Sequence, residues 1–235
     1  MYMIPKCRIF VLVSLLALVG CTTGQDGTGK KAAEKKVDSL KNLQKRNTPN
    51  TYEATPDYLL DLAASKVTWK GYKLSGKPHT GTINVAEGGF EVREGKIVAG
   101  RVLLDLATLK VTDLTDKKLA VKLENHLKSQ DFFYVNHFRT AELMVLDISN
   151  IEADSEGNNA YVIGDLSIRD ETHPARFSAK IDLVGNKITA SGDINVNRTA
   201  YGIRYGSDKF MGHIADQIIK DEFDIHFDLV ANKKK

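Results

Sequence analysis

Along Ala175, Phe177, Ala179, Ile181 and Leu183 an apolar residue stands at every second place, with Arg176, Ser178, Lys180 and Asp182 between them. A period of two puts the first set on one face of an extended strand and the second on the other, whereas a helix would scatter both around its circumference. The pattern returns at Phe223, Ile225, Phe227 and Leu229 between Glu222, Asp224, His226 and Asp228, and again at Val67 and Trp69. Further strands are predicted around 82–85, 90–92, 96–106, 142–148, 161–169 and 187–195. Glu87-Gly88-Gly89, Glu94-Gly95, Glu156-Gly157-Asn158-Asn159 and Gly185-Asn186 supply the breaks between them. About eight strands at short spacing, most joined as hairpins, predict an all-β domain, a single antiparallel β-barrel or sandwich.

One interruption reads as a helix, over 112–129. Thr112 or Asp113 can cap it, and Leu119, Leu123 and Leu127 recur four residues apart on one face. A second short helix is a weaker expectation over 214–220. In the strand 98–106, Val98, Val102, Leu104 and Leu106 are expected to point one way. Ala99, Arg101, Leu103 and Asp105 point the other, as a solvent face or as part of a barrel mouth.

The amino terminus has a different grammar. Lys6 and Arg8 precede an apolar stretch from Ile9 to Val19, broken only by Ser14. That is the order of a secretory signal, and it is shorter than the roughly 20 residues that span a bilayer as a helix. It ends in Leu18-Val19-Gly20-Cys21, which resembles the lipobox of bacterial lipoproteins. The resemblance implies cleavage before Cys21 and lipid on its thiol, with 1–20 as the signal peptide. Two or three acyl chains hold a protein at a membrane far better than one. Residues 21–64, rich in Lys, Gly, Thr and Asn, read as the lipidated amino terminus and a flexible linker to a domain over 65–232. The expected location is the cell envelope, lipid-anchored and facing the periplasm. Thr22 resembles the pattern of outer-membrane sorting rather than inner-membrane retention.

Cys7 lies in the segment to be removed, so the mature chain has no second thiol for a disulfide and must rest on its apolar core. Removing Lys6 and Arg8 takes the 33 basic residues to 31 against 30 acidic ones. Outside the linker and the Lys233-Lys234-Lys235 tail the signs are mixed, which argues against a nucleic-acid partner. The six histidines, His79, His126, His137, His173, His213 and His226, show no metal-ligand spacing, and no Gly-x-Ser-x-Gly elbow is present. Neither an enzyme nor a cofactor or metal site is expected.

The chain resembles the YceI-like family of periplasmic polyisoprenoid-binding proteins over roughly 65–230. The resemblance rests on Ser65-Lys-Val-Thr-Trp69-Lys-Gly71, His79-Thr-Gly81-Thr-Ile83, Gly100-Arg-Val-Leu-Leu-Asp105-Leu and Leu123-Glu-Asn-His-Leu127-Lys-Ser-Gln-Asp131-Phe-Phe133. It continues through Gly164-Asp-Leu-Ser-Ile168 and Asn197-Arg198-Thr199-Ala-Tyr201-Gly202-Ile203-Arg-Tyr205-Gly206. It departs at Tyr201, where the family commonly has Trp, and at Asp170, where Gly is usual. The resemblance implies a lipocalin-like barrel whose apolar lumen holds an amphiphilic isoprenoid-like lipid, such as a polyisoprenoid quinone. Trp69, Phe90, Phe133, Phe177, Tyr201 and Phe227 are expected in the apolar wall by strand phase. Arg198 either holds a polar head by paired hydrogen bonds or locks the barrel against a carboxylate such as Asp105. Two other functions remain open at this level. One is a structural or adaptor lipoprotein whose barrel is filled by side chains and whose surface binds an envelope partner. The other is a hydrolase, which would need His79 and Asp105 within hydrogen-bond reach.

Overall fold

The structure, a computed structural model, describes residues 55–74, 76–210 and 218–235. The apolar leader, Cys21 and most of the expected linker lie outside the described residues. Among the described residues no helix is long and apolar enough to cross a membrane. The described residues form nine strands and one α-helix, in order β1 Tyr58–Leu60, β2 Lys66–Lys73, β3 His79–Arg93, β4 Lys96–Val111, α1 Lys117–Lys128, β5 Thr140–Asn150, β6 Ala160–Ile168, β7 Glu171–Val184, β8 Lys187–Asn197 and β9 Ile219–Lys233. A single 3-10 turn, Arg198–Tyr201, follows β8.

From β2 onward each strand pairs antiparallel with the next, and β9 returns to pair with β2, setting Trp69 opposite Ile225. The sheet therefore closes, and a closed sheet has no edge to leave unpaired. β1 is the ninth strand but not a ninth stave. It lies between β3 and β9, with Tyr58 opposite both Phe90 and Lys233, in the gap that β2 leaves further along the same two strands. β1 and β2 are two halves of one stave interrupted by 61–65, so the barrel has eight. The folded domain thus begins upstream of Ser65, the start expected from the sequence.

The alternation seen in the sequence is the barrel's inside and outside. Val67, Trp69, Phe177, Ala179, Phe227 and Leu229 are buried, while Lys66, Arg176, Lys180 and Asp228 are exposed. Two expectations about strands are corrected. The stretches 82–85 and 90–92 are one continuous strand, because Glu87, Gly88 and Gly89 do not turn but pair in unbroken register with Leu103, Val102 and Arg101, just past a register shift between Val85 and Glu87. Glycine is needed there for close approach: a side chain on Gly88 would overlap the Arg101 carbonyl, and one on Gly89 the Tyr58 carbonyl. In β4, Val98 is exposed and Ile97 packs on the core, since a register shift at Glu91/Val92 reverses the phase near the hairpin. Glu94-Gly95 does turn, with φ of 50° and 73°, the left-handed pair of a two-residue hairpin.

The helix is present but starts later than expected. Asp116, not Thr112 or Asp113, caps α1 by accepting from the N–H groups of Lys118 and Leu119. Asp113 instead accepts from the Thr80 N–H at 3.0 Å and pairs with His79. α1 is fastened to the barrel by Glu124, which is buried and accepts from the Val111 N–H at 3.0 Å and the Lys110 ammonium at 3.2 Å. Of the weaker helix over 214–220, Ile218 precedes β9, Ile219 and Lys220 are in it, and 214–217 lie outside the described residues.

Gly81 is a second point of close approach. The Trp69 indole lies against it and donates from Nε1 to the Lys110 carbonyl at 3.2 Å, so a β-carbon there would overlap that oxygen and stand 2.6 Å from the ring. Replacing Gly81 with Val should cost about 3 kcal/mol, the upper end of overpacking penalties. A fall in the urea midpoint checks this, with Val184→Ser on an exposed hairpin expected to leave the midpoint in place.

Candidate functional site

The barrel is not filled by its own side chains. Its lumen is a cavity of about 610 Å³, lined over most of its depth by Trp69, Phe90, Val102, Val145, Phe177, Ala190, Phe227 and other apolar groups. Small residues help create the space. Ala141, Ala175, Ala179 and Ala190 are inward-facing places at which larger apolar residues would fill the interior. At the end where β1 enters, Tyr58, Leu60, Ile188 and Ala231 are buried outside the cavity and plug it, with the Tyr58 hydroxyl donating to the Gly185 carbonyl at 3.1 Å. At the opposite end the lining turns polar and reaches solvent. Lys73 from β2, His79 from β3, Leu119, Lys122 and His126 from α1, and Tyr205 after the 3-10 turn form this mouth. His126 packs edge-on against Phe132 and Tyr205, at 5.0 and 4.7 Å between ring centroids.

Of the residues expected in the apolar wall, Trp69, Phe90, Phe133, Phe177 and Phe227 all line this cavity. Tyr201 does not. It is buried behind the wall with its ring edge-on to His173, 5.0 Å away. That burial pushes its phenol up to about 12.

Arg198 borders the cavity but its guanidinium is committed elsewhere. It is 4% exposed and donates to four main-chain carbonyls: Nε to Lys220, Nη1 to Ile203 and Tyr205, and Nη2 to Ile219, all at 2.9–3.0 Å. Asp221 stands 3.6 Å from Nη2. Burial pulls the guanidinium pKa below its ordinary value against the opposing pull of Asp221 and Glu222. The expected carboxylate partner, Asp105, is instead paired with Arg139 at 2.9 Å. Arg198 therefore locks the turn after β8 onto the start of β9 through the backbone. That role had no sequence signal, because carbonyl oxygens are present at every residue.

Arg101 and its neighbours answer the question left by the second face of β4. Arg101 forms ion pairs with Glu87 and Glu142 on the neighbouring strands, making a cross-strand ladder on the outer surface. His79 pairs with Asp113 at 2.9 Å, and Asp105 with Arg139, so the pair a hydrolase would need is not assembled. Among the described residues no cluster of three metal-ligating groups occurs.

Comparison with known proteins agrees with this architecture. Residues 58–231 match the YceI-like domain. The chain belongs to the YceI-like family. Among solved structures it is similar to BcnA of Burkholderia cenocepacia, with a TM-score of 0.56 and 23% identity over 74% of this chain and 99% of that one. It is also similar to a polyisoprenoid-binding domain from Saccharophagus degradans implicated in plant cell wall breakdown, with a TM-score of 0.55 and 13% identity over 77% and 100% of the two chains. At these identities the two share the YceI-like fold with this chain. No curated protein sequence matches it.

Two outcomes test the site's construction. Arg198→Met would leave four carbonyls without their donor and should cost at least about 3 kcal/mol, read by urea unfolding. Lipid content per folded molecule should stay unchanged. The second concerns acid. Burial raises the carboxyls of Glu124 and Asp113, but hydrogen bonds and cations more than offset it. Val111 N–H and Lys110 act on Glu124, Thr80 N–H and His79 on Asp113, and both groups end below their ordinary values. A carboxyl depressed by folding stabilises the fold above its unfolded pKa, and that contribution is lost as pH falls through the folded value. Hydrogen exchange in α1 should accelerate only below the ordinary carboxylate range, and Glu124→Gln should remove part of that dependence.

Proposed function

We propose that this protein binds an amphiphilic, isoprenoid-like lipid in its barrel lumen at a membrane surface, without transforming it. The observation that carries the reading is the apolar cavity, closed by β1 at one end and open through a polar mouth at the other. Such a shape suits a molecule with an oily tail and a polar head. Each methylene-sized group taken from water contributes about 0.8 kcal/mol, so the wall alone can hold a tail. Membership of the YceI-like family supports the same reading, as does likeness to a domain described as polyisoprenoid-binding. At roughly 30 Å³ for each water-sized group in a liquid, a cavity of about 610 Å³ takes a tail of about twenty carbons. Trp69, Phe90, Phe133, Phe177 and Phe227 are its wall in this reading, and Arg198 and Tyr201 support the wall from behind.

The placement in the envelope belongs to the same proposal. A lipid on Cys21 would hold the chain at a membrane facing the periplasm, the outer membrane in preference to the inner. The adaptor reading, with a filled barrel and a protein partner, gains nothing from a lumen of this size.

Organic extraction of the purified protein followed by mass spectrometry should return one class of lipid in near-stoichiometric amount. A consistently empty barrel would sink the carrier reading. Ala190→Phe narrows the lumen without charging it and should lower the recovered lipid severalfold. For the anchor, radiolabelled palmitate should enter the wild type and not Cys21→Ser, and label in both would refute attachment at Cys21.

A further inference from the structure

The mouth carries an imbalance of charge that the lipid-binding reading does not explain. Each carboxylate bordering the opening is already engaged: Asp113 with His79 and the Thr80 N–H, Asp131 with His126, and Glu124 with Lys110 and the Val111 N–H. On the β9 side Asp221 is paired with Lys209 at 2.9 Å, and Glu222 accepts from the Asn197 amide. The ammonium of Lys220 stands over the Tyr72 ring, 5.2 Å from its centroid. Two cations remain. Lys73, at the end of β2, and Lys122, on the face of α1 that also carries Leu119 and His126, both line the cavity, and neither pairs with any described carboxylate. They come from separate elements, one on the sheet and one on the helix, and share one opening.

We infer that the mouth selects a ligand with an anionic head, a carboxylate or a phosphate monoester, which Lys73 and Lys122 hold from the barrel side and the helix side. The inference rests on the reading that the lumen binds a lipid tail, and adds the chemistry of the head. An uncharged head would leave both ammoniums without a counter-charge. An anionic one supplies it where the apolar wall ends, with the head still in contact with water. Because both lysines are solvent-exposed, their contribution is that of two surface ion pairs, screened by salt. Arg198 cannot serve in their place, since its donors are held by main-chain carbonyls.

One tail with three heads tests this. Geranylgeranyl phosphate, geranylgeranoic acid and geranylgeraniol would each be titrated against delipidated protein loaded with the neutral fluorophore N-phenylnaphthylamine. The first titrations are run at low salt, where exposed ion pairs are least screened. In the wild type at least one anion should displace the probe about three- to tenfold more tightly than the alcohol, and the advantage should shrink in high salt. The double variant Lys73→Gln, Lys122→Gln should lose that advantage while binding the alcohol as before, whereas Lys180→Gln on the outside of β7 should keep it. The rank of phosphate against carboxylate then names the head. If the alcohol binds as tightly as both anions, or the double variant keeps the preference, the inference is overturned and the lipid-binding reading stands. If none of the three displaces the probe, lipid binding itself has failed and the inference goes with it.

Discussion

The pairing of β9 with both β2 and β1 is the constraint on which the rest of the barrel depends. Without it the meander from β2 to β8 would be an open sheet with one oily face. With it that face becomes an interior, and each stave has a paired neighbour on both sides. An interior made this way need not be full, because a ring of eight staves sets its own width. Alanines at several inward places leave that width as space, and the buried Glu124 fastens α1 beside the opening.

Much of this was legible in the sequence, because a strict period of two over 175–183 and 223–229 admits only strands with one dry face. The all-β class, the count of staves and most of the cavity wall follow from that phase. The shape of β3 did not follow. Two adjacent glycines usually announce a turn, and here they mark where β1 and β4 crowd the backbone, a contact between segments far apart in sequence. Val98 was assigned to the wrong face for a related reason, since one register shift reverses every side chain beyond it. The helix cap was missed by a few residues because Asp113 and Asp116 are equally good caps in isolation, and only the proximity of His79 and Thr80 claims Asp113.

The candidate site divides in the same way. Trp69, Phe90, Phe177 and Phe227 could be placed because an inward phase is a local property, whereas Phe133 lies in the turn after α1 and has no strand phase. Arg198 and Tyr201 could not, because their surroundings are built by segments folding back from elsewhere in the chain. An arginine between polar neighbours looks like a ligand-binding group until its four carbonyl partners are seen. That Lys73 and Lys122 pair with none of the described carboxylates is likewise invisible in a sequence whose overall charge is nearly balanced. It becomes apparent only once their acidic neighbours are found to be occupied.

The chain joins the barrel at the plugged pole, where Tyr58 lies beside Lys233. Chain entry and opening thus lie at opposite poles of the barrel. The 36 residues from Cys21 to Pro56 would reach about 120 Å if fully extended, well beyond the roughly 50 Å run of a fifteen-residue strand such as β3. Entry of the chain at the closed pole therefore does not by itself fix which way the mouth faces.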